Sequence, residues 1–207
     1  MTELTLTTFL SLDGVMQAPG GPDEDQAGGF RYGGWLVPHA DEDMGRVIDD
    51  IFSRADAFLL GRTTYDIFAS YWPQVTDADN PVASKLNRLP KYVPSRTRTE
   101  FPWTASTHIR NVVEELPALR ERHQREIQVH GSCGLAQTLL RHDLIDEFRL
   151  FTFPVVIGSG KRLFGSGTNP ANLRLQRTET TSRGVVVSVY RRGGAIVTGT
   201  FSPDEEA

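Results

Sequence analysis

Residues 129–140 read VHGSCGLAQTLL. The run from Glu126 to His130 is a short β-type stretch that stops at Gly131, and Leu135, Leu139 and Leu140 then recur at helical spacing. A strand that ends at a glycine and gives way to a helix is the unit from which parallel sheets are wound. Ser132 stands in the N-cap position. Gly131 and Gly134 would let a pyrophosphate approach the backbone, although they do not complete G-x-G-x-x-G. The same arrangement occurs upstream in AFLLGRTTYD, residues 57–66, where an apolar run stops at Gly61 and a helix begins near Thr63 or Thr64. Free N–H groups of that first turn form an anion site, and Arg62 can add a charge-assisted bond. The bland alternative is a strand–helix turn carrying a surface arginine. Two such helix starts at the carboxyl ends of parallel strands can share one dinucleotide.

Working outward, strands and helices alternate. Leu4–Leu10 reads as a strand entering the turn Ser11-Leu12-Asp13-Gly14. Residues 44, 47, 48, 51 and 52 give Asp41–Arg54 the pattern of an amphipathic helix with acidic residues at its start. Asn80-Pro81 is a cap followed by proline at the first helical position, opening a helix to Arg88. Lys91–Ser95 is a short strand. Asn111–His123 carries helical spacing, with Pro117 requiring a later start or a kink. Phe148–Ile157 reads as a long strand, and Val185–Tyr190 with Ala195–Thr200 as a hairpin turned at Gly193-Gly194. The expected fold is a single α/β domain over residues 1–201. A mostly parallel mixed sheet is flanked by helices on both faces and finished by an antiparallel hairpin. The acidic tail 202–207 is expected to be disordered.

Composition removes several functions. A chain of 207 residues with net charge −4 does not suit a phosphate-tracking nucleic-acid binder, and its basic residues are scattered. One cysteine permits neither an internal disulfide nor a cysteine zinc site. The five histidines show no ligand spacing, so no metal is expected. No signal peptide and no membrane-length apolar run is evident, which leads to the expectation of a cytoplasmic protein.

The remaining motifs are read conservatively. Gly158-Ser159-Gly160-Lys161 invites a P-loop reading, but Arg162 stands where Ser or Thr would hold magnesium, so nucleotide hydrolysis is rejected. Cys133 reads as a small packing residue rather than a reactive thiol. Asp13 is either a turn residue or a polar group at a pocket mouth. The Gly-rich stretch Gln17–Pro38 carries Phe30, Tyr32 and Trp35, which favours a lid over a pocket against a linker.

Together TFLSLDGVMQAP, LLGRTTYD, IQVHGSCGLAQTLL and DEFRLFTFPVVIGSGKRLF resemble the dihydrofolate-reductase-like fold. They are similar above all to the C-terminal reductase domain of the bifunctional riboflavin-biosynthesis deaminase–reductase, in stand-alone form. The resemblance covers Leu4 to Arg191. It implies NADPH as cofactor and commonly a homodimer. By that resemblance Gly61, Arg62, Thr63 and Thr64 hold cofactor phosphate, and Gly131, Ser132, Gly134 and Leu135 form the second phosphate turn. Ser95, Arg96 and Thr97 lie near the adenosine ribose and its 2′-phosphate. Ser11, Asp13 and Gly14 meet the nicotinamide and substrate, Phe153, Pro154 and Val155 line the pocket opposite, and Phe30 and Trp35 close it. Asp13 is the candidate proton-handling group. The H-x-E…P-C-x-x-C zinc deaminase of the bifunctional enzyme is absent from this sequence. The resulting expectation is hydride transfer from NADPH to a small heteroaromatic or imine substrate, aminouracil-like or pterin-like. The alternatives are a non-catalytic NADPH-binding module or, more weakly, a purely structural dimer.

Overall fold

A computed structural model of the chain describes residues 2–76 and 80–201. In order they form β1 (Glu3–Ser11), α1 (Glu42–Ser53), β2 (Ala55–Leu59), α2 (Arg62–Tyr71), α3 (Pro81–Arg88), β3 (Lys91–Pro94), β4 (Ser106–Ile109), α4 (Val112–Glu121), β5 (Glu126–His130), α5 (Cys133–Arg141), β6 (Glu147–Phe153), β7 (Leu173–Thr180) and β8 (Val186–Arg192). The strands make one sheet in the order β4-β3-β2-β5-β1-β6-β8-β7. The pairs among β1 to β6 are parallel, and β8 runs antiparallel to both β6 and β7. The chain moves outward from β1 through β2, β3 and β4, then returns to insert β5 between β2 and β1. Strand order therefore reverses beside β5, where open α/β sheets leave a crevice at their carboxyl ends.

Alternation along β1 explains the two layers. Leu4 and Leu6 face Leu116 and Leu119 of α4 and Leu139 of α5. On the opposite face, Met44, Val47 and Ile51 of α1 pack with Phe151 and Phe153, and Tyr65 of α2 and Leu86 of α3 pack with Phe58 and Val93. Each such side chain contributes about 1.5–3 kcal/mol on leaving water. The side chains of Asp41, Asn80 and Asn111 cap α1, α3 and α4. Glu115 also reaches back to the N–H groups of Arg110 and Asn111.

The structure corrects the expectation in four places. The terminal hairpin pairs β7 with β8, not Val185–Tyr190 with Ala195–Thr200, and Gly184 takes its turn. Gly193 instead donates to Asn172 O. Strand β7 was hidden because it is a sheet edge exposed on both faces, so its residues LRLQRTET show no apolar alternation. β6 stops at Phe153 because Pro154 has no N–H for the ladder. The short edge strand β4 went unread, and α4 starts at Val112 with Pro117 inside it. The acidic tail 202–207 lies outside the described residues.

Candidate functional site

Five junctions expected to carry chemistry lie at the carboxyl ends of β1, β2, β3, β5 and β6, because parallel strands deliver their following loops to one edge. Two of them touch. Gly61 N–H donates to Ser132 Oγ at 3.0 Å, and Ser132 Oγ–H in turn donates to His130 O at 3.0 Å. The N-terminus of α2 is thereby clasped to that of α5. A Cβ on Gly61 would stand 3.2 Å from Ser132 Cβ, so glycine is needed for this approach. Ser132 stands at the N-cap position as read from the sequence, but its hydroxyl is spent on the clasp and makes no capping bond to its own helix. Both Gly131 and Ser132 adopt positive φ, a conformation that strains a serine.

The consequence is electrostatic. Neither α2 nor α5 has a side-chain cap, whereas α1, α3 and α4 all do. The first turns of two adjacent helices thus lack a side-chain acceptor, and free N–H groups of this kind can bind an anion. A Cβ on Gly131 or Gly134 would meet nothing within 4 Å, which leaves room for a bulky ligand against the backbone. Arg62 and Thr63 are exposed at the start of α2, with Thr64 half-buried. Leu135 packs into the core beneath the second turn.

Beyond β3, Ser95 Oγ accepts from the N–H groups of Thr97 and Arg98, and His108 Nε2 bonds Ser95 O at 2.7 Å. Arg96 and Thr97 are exposed on this turn. The sequence reading missed Arg98, whose guanidinium lies 4.6 Å from the Phe101 ring and pairs with Asp66 at 2.6 Å. A cavity of about 650 Å³ lined by Arg98, Glu100, Phe101 and Pro102 opens there. Among the described residues, Arg98 and Arg162 are held by Asp66 and Asp13, while Arg62 and Arg96 form no ion pair.

At the end of β1, Ser11 Oγ donates to Asp13 Oδ1 and accepts from Val15 N–H. Asp13 also accepts from the N–H groups of Ile157 and Gly158 and from Arg162. The Ser11 hydroxyl and those two amides hold its carboxyl well below the usual carboxylate range. Asp13 is therefore an anionic staple between the β1 and β6 loops, which argues against its carrying a proton at neutral pH. Gly14 takes the positive φ that this turn requires.

The Gly-rich segment is anchored at a few buried residues, although Tyr32 within it is exposed. Gln17 donates to Asp25 O and Ala27 O, Lys161 pairs with Asp25, and Trp35 Nε1 donates to Gln17 O. Phe30, Trp35 and Phe153 are buried in the core with α1. Their large apolar area is better removed from water beneath α1 than left at a rim. Val155 is half-buried and Pro154 exposed. Gly160 belongs to this packing, since a Cβ there would stand 2.7 Å from Val15. Burial pushes the Cys133 thiol up, which suits a packing residue. Among the described residues no group of three His, Cys, Asp or Glu could hold a metal, and no helix is long and apolar enough to cross a membrane.

Comparison with known proteins agrees with this frame. A Bacillus subtilis protein, YyaP, itself uncharacterized, is 32% identical over 193 residues, covering 92% of this chain and 95% of its own. A putative riboflavin biosynthesis protein from Shewanella superposes with TM-score 0.69 at 24% identity, covering 92% of this chain and 99% of that one. A pyrimidine reductase-like protein from Corynebacterium diphtheriae gives 0.60 at 15% identity, covering 92% of each chain. RibD of Acinetobacter baumannii gives 0.64 at 13% identity, and this chain spans 58% of its length. These structures share the dihydrofolate-reductase-like fold. The model of the RibD C-terminal domain matches residues 2–187. The chain belongs to the RibD C-terminal domain family.

Proposed function

We propose that this protein is an NADPH-dependent reductase that delivers hydride to a small heteroaromatic or imine substrate, aminouracil-like or pterin-like. The observation that carries the reading is the pair of uncapped helix starts joined by the Gly61–Ser132 bond, beside the reversal of strand order. Two N-termini suit the two phosphates of a dinucleotide. The open space over Gly131 and Gly134 and the exposed Arg62 and Arg96 fit the same ligand. Family membership and the name of the Corynebacterium relative support reduction of a ring of this kind.

The nicotinamide, when bound, supplies the hydride. The work of the chain is to bind and orient. The first turns of α2 and α5 hold the pyrophosphate, with Arg62 and Arg96 selecting the 2′-phosphorylated cofactor. The Ser11–Asp13 staple fixes the β1 and β6 loops around the reacting end. The assembly the resemblance implies is a homodimer, which sedimentation of the purified protein would check.

Binding of NADPH and NADH to wild type and Arg62→Ala tests the reading. NADPH should bind more tightly than NADH, and the variant should lose about tenfold in NADPH affinity, the worth of one exposed charge-assisted phosphate contact. Absence of NADPH binding at millimolar concentration removes the reading. The commitment of Asp13 to loop holding favours a second reading, a module that binds NADPH without turnover. Binding unaccompanied by NADPH oxidation across pyrimidine and pterin substrates would select it.

A further inference from the structure

Beneath the clasp runs a buried chain of polar side chains. Arg149 is 1% exposed; it bonds both carboxylate oxygens of Glu126, at 2.8 and 2.9 Å, and Glu147 Oε1 at 2.7 Å. Gln128 Nε2 donates to Glu126 Oε2 at 2.7 Å and to Ile51 O of α1 at 2.6 Å. Both of those oxygens only accept, so the amide orientation of Gln128 has no freedom. Its Oε1 therefore faces His130 Nε2, 3.1 Å away, and that nitrogen must carry the proton. The imidazole is stacked on Phe52 of α1 with centroids 4.5 Å apart. Burial, with Arg149 nearby, pushes its pKa down to about 3, so the ring is neutral. The carbonyl of this same residue receives Ser132 Oγ–H and closes the clasp with Gly61.

A buried ion pair is a weak source of stability, since apolar residues of equal volume commonly serve as well. What such a pair can supply is a unique geometry. Arg54, just past the end of α1, and Arg191 of β8 also reach the two carboxylates, at 3.6 and 3.1 Å.

We infer that Arg149, Glu126, Gln128 and His130 are positioning residues: they lock one neutral tautomer of His130 and, through its backbone, hold the two helix starts in register for the phosphates. The nucleotide part of this inference rests on the function proposed above, whereas the tautomer and the clasp do not.

Nitrogen-15 NMR of the wild type should show His130 as the neutral Nε2–H tautomer throughout pH 5–8. An Nδ1–H ring or an imidazolium in that range overturns the proposal without any variant. Gln128→Met keeps the volume and removes all three side-chain hydrogen bonds of Gln128. In that variant the tautomers should mix, the Gly61 amide should exchange at least tenfold faster, and NADPH affinity should fall about tenfold. As a control, Leu116→Ala loosens α4 on the opposite face of the sheet, and should leave the tautomer of His130 unchanged at comparable loss of stability. A folded Gln128→Met with wild-type tautomer and wild-type Gly61 exchange sinks the proposal. If wild type binds no NADPH, the functional reading falls alone, and the tautomer and exchange results still decide this one.

Discussion

Lys91 shows how a single residue can be read from its partners. It is fully buried on β3, yet it has no carboxylate. Its Nζ donates to Leu86 O and Leu89 O at the end of α3 and sits 4.5 Å from the Trp103 ring. The ammonium thus caps the α3 carbonyls and faces the negative side of an indole. Burial still pushes its pKa down to about 8 from 10.5. Because the folded value lies below the unfolded one, the unfolded chain binds more protons between those pH values, so stability rises with pH across that window. Denaturant unfolding at pH 7.5 and 9.5 should show wild type gaining about 1–2 kcal/mol relative to Lys91→Met. An equal pH response in the two proteins would refute this.

Asp13 has the opposite sign. Its folded pKa is depressed, first by the Ser11 hydroxyl and then by the Ile157 amide, so its contribution is present above the ordinary carboxylate range and lost on acidification. Asn at this position offers one acceptor oxygen where Ile157, Gly158, Ser11 and Arg162 need two. Asp13→Asn should cost about 1–2 kcal/mol. It should also speed amide exchange at Ile157 and Gly158. Unchanged exchange at those two amides would remove the staple role.

Among elements, the Gly-rich segment is the one whose character changes most between sequence and structure. Aromatic residues among glycines suit a mobile cover as well as a packed loop, and composition does not separate the two. Packing separates them here. A Cβ on Gly33 would lie 2.5 Å from Gly21 O and 2.6 Å from Pro22 O, both backbone atoms rather than the yielding end of a side chain. Glu24 closes the same turn by accepting from Gly20 and Gly21. Gly33→Ala should therefore lower stability by about 1–3 kcal/mol. Gly45→Ala, inside α1 with open space at its Cβ, should be neutral or stabilising. Thermal unfolding of both checks the contrast, and equal effects would show that the loop tolerates displacement.

At the scale of the whole molecule, strand–glycine–helix junctions, apolar periodicity and the Asn80-Pro81 cap were enough to place most parallel strands and all five helices. Each of those signals is local, carried by residues adjacent along the chain. They also located Gly61, Arg62, Gly131 and Gly134 as a candidate anion site. The edge strands β4 and β7 carry no such signal, because an edge buries little and apolar alternation is not required there. The clasp was beyond reach for a different reason: Gly61 and Ser132 lie 71 positions apart, and only insertion of β5 beside β2 brings them into contact. The same holds for Asp13, met by the loop after β6, for Arg98, paired with Asp66 of α2, and for His130, stacked on Phe52 of α1. Residue type and spacing determined which elements form and that two of them end in helix starts. Tertiary structure decided which polar groups meet, because hydrogen bonds act over about 3 Å and do not register distance along the chain.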